Sequence, residues 1–426
     1  MKKGFYTIMS AQFFSSLADN ALFVGAVKLL QESDAPGWQE AGLVPMFALF
    51  YVLLAPFVGP FADAFPKGRV MFISNLIKVV GCLMMLYGAH PMVAYAVVGL
   101  GAAAYSPAKY GILTELLPSS QLVKANGWIE GLTIASIILG VVLGGLLLGP
   151  KLSSMIIGLD IPWVDLPMTT APEAALSAII CFYILAALFN LRIPLTGAPI
   201  QPLSQNPVRM VADFFRCNTL LWRDKLGQIS LATTTLFWGV SGNMRYIVLA
   251  WAAAALSYST ESASTLVGVV AIGTAAGAVV ASMRMRLDQA LGLIPLGIAM
   301  GVLVLALNFC TSITLAIPVL IVLGALGGFL VVPMNALLQH RGHKLMGAGR
   351  SIAVQNFNEQ LCILLLGALN AGLTQHGWSA FSVITTFGLL VATVMCVIKL
   401  WHQRNLRRHP DEVGRLLQIA RGDQNS

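Results

Sequence analysis

Charge is scarce in this chain. Only 10% of its 426 residues are Asp, Glu, Lys or Arg, against about 25% in a soluble globular protein. That shortage, with 57% hydrophobic residues and a mean hydropathy of +0.79, excludes a water-exposed globular domain and implies an integral membrane protein. Paired thiols are missing too. Cys82, Cys181, Cys217, Cys310, Cys362 and Cys396 are far apart and form no CxxC pair. This argues against a disulfide framework or a thiolate metal site, and they read as small packing residues. No Gly-Lys dipeptide occurs, so the GxxxxGK[ST] phosphate loop of an ATP-driven pump is absent. None of the six histidines is followed by Asp across a four-residue gap, which removes the HxxxxD pair of an acyltransferase. No enzyme activity, cofactor or metal is expected.

What is present is long apolar runs and 40 glycines, as expected where membrane helices pack closely. Twelve runs are long enough to span, each of about 20 residues. They lie near 6–30, 41–63, 70–89, 92–114, 124–148, 173–193, 227–254, 264–283, 289–310, 313–338, 349–374 and 377–400. The first follows Lys2 and Lys3 like a signal peptide but runs on too far, so it reads as an uncleaved helix. The net charge of +8 is spread over short loops; it suits anionic headgroups and membrane lipids, not nucleic acid. Lys and Arg concentrate on one set of loops, after spans 2, 4, 8 and 10 and in the tail, which predicts cytoplasmic termini. The expected division is 1–193, a six-helix half; 194–226, a linker with an amphipathic helix; 227–401, a second six-helix half; and 402–426, a cytoplasmic tail. In the outer loop, MIIGLDIPW with Trp163 is a candidate interfacial dip.

The chain also repeats itself. A shift of 226 sets Pro107 on Pro333, Lys109 on Asn335, Lys124 on Arg350, Glu130 on Asn356 and Asp19 on Arg245. One offset relates spans 1, 4 and 5 to spans 7, 10 and 11. The resulting all-α membrane architecture of twelve transmembrane helices in two six-helix halves resembles the major facilitator superfamily. GPFADAFPKGR, residues 59–69, strengthens that likeness. Its Gly59, Asp63, Lys67 and Arg69 resemble the superfamily's loop 2–3 signature, although Ala64 and Pro66 stand where Arg and Gly are common. Asp63 with Lys67 and Arg69 can form a gate that holds one conformation and breaks in another. Lys124, Glu130 and Arg350 join it as gating candidates.

Ionisable residues inside a membrane point to function. Asp19 in span 1, Lys109 in span 4, Arg245 in span 7 and Glu359 in span 11 stand out, with Asn20, Asn335 and Gln355 as neighbouring polar candidates for substrate binding. In the resembled fold, spans 1, 4, 7 and 10 line the central pathway. Each charge also has a plainer reading, such as interhelical hydrogen bonding or snorkelling of Lys109. Lys78 is a further lysine in an apolar run, but span 3 is peripheral in that fold, so it is set aside. The partner of Asp19 stays open between Arg245 and a substrate ammonium.

Seven segments carry a narrower resemblance. ADNALF (18–23), APFVGPFADAFPKGRV (55–70), GAAAYSPAKYGIL (101–113), LVKANG (122–127), LFWG (236–239), VVPMNALLQ (331–339) and AVQNFNE (353–359) resemble the bacterial lysophospholipid transporter (LplT) family. The resemblance implies inward movement of lysophospholipids such as lysophosphatidylethanolamine and lysophosphatidylglycerol across the inner membrane. A separate or fused acyltransferase would act downstream; a monomer is expected. It also implies that Asp19, Asn20, Lys109, Arg245 and Glu359 serve substrate or gate. The competing reading is a proton-coupled major-facilitator exporter of drugs or metabolites, with Asp19 and Glu359 carrying protons.

Overall fold

The computed structural model describes residues 3–158, 169–203, 206–258 and 260–425. Trp163 and its suggested interfacial dip lie outside the described residues. Those residues form α1 (Lys3–Glu32), α2 (Gly37–Leu53), α3 (Ala55–Ala64), α4 (Lys67–Leu86), α5 (Pro91–Leu116), α6 (Ser119–Leu148), α7 (Pro150–Ile157) and α8 (Ala171–Leu191). Then follow α9 (Pro207–Arg223), α10 (Gly227–Leu256), α11 (Thr260–Arg284), a 3₁₀ turn at Leu287–Leu293, α12 (Ile294–Ala306), α13 (Ile313–Met346), α14 (Ala348–Gln375), α15 (Ala380–Arg408) and α16 (Pro410–Asn425).

Ten of these helical segments are long and apolar enough to cross a membrane, eleven if α2 and α3 form one broken span. Those two meet at a bend of 64°. Pro56 follows the break; it cannot donate an amide and its ring crowds the preceding turn. The seventh expected span, α10, is a 30-residue helix. Thr233, Thr234, Asn243 and Arg245 make it less apolar than the others. The linker helix is α9 and the tail helix is α16. Local signals start other helices: Thr170 and Glu173 form a reciprocal capping box at α8.

Packing divides the chain into two compact units. The first holds Met1–Ile112, Ala135–Phe214 and Ala348–Ala353; the second holds Leu113–Ile134, Phe215–Gly347 and Val354–Ser426. Both therefore draw on segments from before and after the linker. In the first, α8 packs on α1 and α4, around a core that includes Leu22, Leu43, Val98, Ile179 and Tyr183. In the second, α11 lies along α13. Gly273 and Gly277 on α11 face backbone carbonyls of α13, and Gly324 and Gly328 return the contact. A Cβ at any of the four would collide with main chain, so this close approach requires glycine.

Candidate functional site

The first unit buries a charged cluster where α1, α4, α5 and α8 meet. Ser15 and Asp19 lie one turn apart on α1, and Asn75 and Lys78 three residues apart on α4, so each pair shares a helix face. The Lys78 ammonium stands 2.8 Å from both Asp19 carboxylate oxygens and 3.0 Å from the Ser15 hydroxyl. Ser15 donates to Asn75 Oδ1 at 2.8 Å, and the Tyr183 hydroxyl donates to Asp19 Oδ1 at 2.7 Å. The rings of Tyr105 and Tyr183 lie 5.1 and 5.6 Å from the ammonium, within cation–π range. Gly101 on α5 makes room, because a Cβ there would meet the Lys78 side chain and the Ser74 carbonyl at 2.8 Å. The Lys78 side chain is 1% exposed and that of Asp19 20%. The counter-charge that offsets the Asp19 carboxylate within this unit is therefore Lys78. Asn20 turns its amide to the Ser16 carbonyl of its own helix, 2.8 Å away.

The second unit holds a different arrangement. Gln355 donates to Glu359 Oε1 at 2.9 Å and to Asn335 Oδ1 at 3.0 Å. Thr234 of α10 also reaches Glu359. Gln355 and Glu359 are one turn apart on α14, and Asn335 faces them from α13. Asn335 is the residue that the 226-residue shift sets on Lys109. Nearby in sequence, Asn126 and Gln339 exchange reciprocal amide hydrogen bonds of 2.9 and 3.0 Å between α6 and α13. Glu130 is buried, as are Asn335, Gln355 and Glu359.

A third cluster, in the first unit, is built on the start of α14. That helix begins after Gly347, whose φ of 94° suits glycine. Its first amides have no intrahelical partner. Asp63 supplies one: Oδ1 accepts from Gly349 N at 2.7 Å and Oδ2 from Arg350 N at 3.0 Å. Lys67 completes the carboxylate at 2.9 Å and also donates to the Ala62 carbonyl. A carboxylate here meets both free amides and the positive end of the helix dipole. Gly59 permits the approach, since a Cβ would stand 2.9 Å from Arg350 Cα. The Arg350 side chain turns to Asp213 of α9 at 3.2 Å and to Gln201.

The model of the Major Facilitator Superfamily matches residues 8–366. A lysophospholipid transporter LplT from Yersinia enterocolitica is 39% identical over 92% of this chain and 89% of its own length. One from Yersinia pestis is 40% identical over 86% of each. The chain belongs to the LplT family of the major facilitator superfamily. Among solved structures, the human organic anion transporter MFSD10 superposes with a TM-score of 0.70 at 14% identity, covering 94% of this chain and 100% of the other. The outward conformation of FucP gives 0.70 at 13%, covering 94% and 97%. Those two establish a shared fold alone.

Lys109 is half-buried on α5, its ammonium 4.1 Å from the centre of the Tyr110 ring. Arg245 is exposed on α10. Arg69 and Lys124 are exposed, whereas Asp63 and Lys67 are buried against each other. Sequence reading set aside Lys78, and it missed Tyr183 as a ligand of Asp19. It also missed Asp224, which accepts from the guanidinium of buried Arg341 at 2.6 and 3.2 Å and from Gly227 N at 2.7 Å at the start of α10. The signal for Lys78 was present: it is the lysine of an apolar run, with Asn75 on the same face. The four-residue spacing of Ser15 and Asp19 offers the matching surface.

Proposed function

We propose that this chain moves lysophospholipids, lysophosphatidylethanolamine and lysophosphatidylglycerol among them, inward across a bacterial inner membrane by alternating access. The reading rests chiefly on identity of 39–40%, across most of the chain, to proteins named lysophospholipid transporters. The side chains supply matching chemistry. A phosphodiester headgroup needs cations, which Lys109 and Arg245 offer. Asp19, Asn20, Asn335, Gln355 and Glu359 complete the polar substrate path. A single acyl chain needs apolar wall. In the second unit, Phe237, Met244, Met300 and Met395 line an apolar cleft, and methionine adapts readily to flexible chains.

In this mechanism Asp63, Lys67 and Arg350 work as a latch. While the carboxylate caps α14, the segments carrying Gly59 and Gly349 stay together. When the pathway changes sides, the α14 amides must exchange that carboxylate for water, and Lys67 keeps Asp63 company in both states. Arg69, Lys124 and Glu130 serve as further gating residues. The two halves, 1–193 and 227–401, are the moving bodies, and 194–226 joins them. Both termini are cytoplasmic, by the loop distribution of Lys and Arg. The protein acts as a monomer, without catalysis of its own, and an acyltransferase consumes what it delivers.

The deciding experiment is uptake of labelled lysophospholipid into vesicles containing the purified protein, with and without ion gradients. Protein-dependent uptake is expected. Absence of uptake, with proton-driven efflux of drugs or metabolites instead, would replace this reading with the exporter.

A further inference from the structure

Asp19 has little charge left to offer. A carboxylate has about four lone-pair sites. Lys78 takes one on each oxygen and Tyr183 a second on Oδ1. One site on Oδ2 remains for anything else. The exposure of the two partners differs sharply: the carboxylate is partly open, while the lysine is sealed behind it with its stem against Gly101. An incoming headgroup at this point would therefore meet a carboxylate whose charge is already answered from behind. It would not touch the lysine.

The difference matters because lysophospholipid headgroups differ in net charge. Lysophosphatidylethanolamine pairs a phosphate with an ammonium and is zwitterionic. Lysophosphatidylglycerol carries the phosphate alone and is anionic. A bare carboxylate in a low-dielectric site would attract the ammonium of the first and repel the net negative charge of the second. A carboxylate neutralised by a buried lysine discriminates far less. We infer that Lys78 is a specificity-determining residue, which by neutralising Asp19 lets this pathway accept anionic as well as zwitterionic lysophospholipids. Lys78 acts through Asp19 and not by contact, which makes it a positioning residue. This inference rests on the lysophospholipid reading above and specifies its headgroup class.

The test is binding of labelled lysophosphatidylglycerol and lysophosphatidylethanolamine to purified full-length protein in detergent, expressed as the ratio of their affinities. Lys78→Met leaves the carboxylate unanswered and is expected to lower the glycerol-to-ethanolamine ratio by about tenfold or more. Asp19→Asn leaves the cation unanswered and is expected to raise it. The double variant Asp19→Asn with Lys78→Met restores net neutrality and should return the ratio to within about threefold of the unmodified protein, a shift well under the tenfold step. A purely structural role would lower both affinities together and leave the ratio alone. If Lys78→Met cannot be purified, the Asp19→Asn and double variants still decide the matter. A ratio that does not rise in Asp19→Asn, or that stays raised in the double variant, overturns the inference. Failure of the unmodified protein to bind either lipid would instead remove the lysophospholipid reading itself.

Discussion

Asp19 and Glu359 both lie in apolar helices of this chain, and the protein accommodates them in opposite ways. In the first unit Asp19 receives a buried lysine, a tyrosine hydroxyl and, through Lys78, a serine. In the second, Glu359 receives neutral donors, the Gln355 amide and Thr234. The charged solution fixes a full negative charge in place and ties α1, α4 and α8 together. The neutral solution asks little of the protonation state of its acid, because an amide and a hydroxyl can serve either form. One site thus answers its carboxylate with a full opposite charge, and the other with neutral donors. Removing a partner should hurt the first site much more than the second.

The largest expected effect is on the charged side. Lys78→Met strands a half-buried carboxylate and should lower stability by about 3 kcal/mol, the lower end for a buried pair, whereas removing both charges with Asp19→Asn and Lys78→Met should recover most of that loss. Thermal unfolding of the purified variants in detergent checks this; equal losses in the single and double variants would mean that packing, not charge, sets the stability here. Asp19→Ala and Lys109→Ala should each abolish lysophospholipid uptake while membrane abundance stays normal, read by transport and immunoblot on the same vesicles. Full activity in both would remove them from the pathway.

Smaller effects should follow at the latch and on the neutral side. Asp63→Ala removes the cap of α14 and should weaken that helix start by about 1–2 kcal/mol. Faster hydrogen exchange at Gly349 and Arg350 is the expected sign, and unchanged protection would show that Asp63 does not hold this end. Asn126→Ala and Gln339→Ala should each cost about 1 kcal/mol. The pair together should lose little more, since each single change already breaks the reciprocal bond; full additivity in unfolding measurements would contradict the exchange of amides seen here. Glu359→Gln, the mildest, should shift stability by less than about 1 kcal/mol, because an amide oxygen still accepts from Gln355. A loss as large as that of Lys78→Met would erase the contrast between the two sites.

Much of the frame is legible in the amino-acid sequence alone. Local composition carries span positions, because about 20 apolar residues in a row have few other uses. The broken second span was less so: Pro56 was visible, yet the residues around it read as one continuous run. Gln355 and Glu359 sit one turn apart, so their contact follows from helical periodicity alone. The order of Gly59, Asp63 and Lys67 marked them as gating candidates. Their partner was hidden, because Asp63 meets Gly349 across a separation of 286 residues.

The sequence by itself determined that this chain lives in a membrane, where its helices run, and that Asp19 would need an answer to its charge. Only the tertiary structure decided who gives it. Residue order left that partner open between Arg245 and a substrate ammonium; within the first unit Lys78, 59 residues from Asp19 along the chain, stands 2.8 Å from both carboxylate oxygens. The physical reason is the short reach of the forces involved. Burial is a property of a segment and can be read along it. A salt bridge depends on ångström-scale placement between helices, set by the way α1, α4 and α8 pack and by the missing side chain at Gly101.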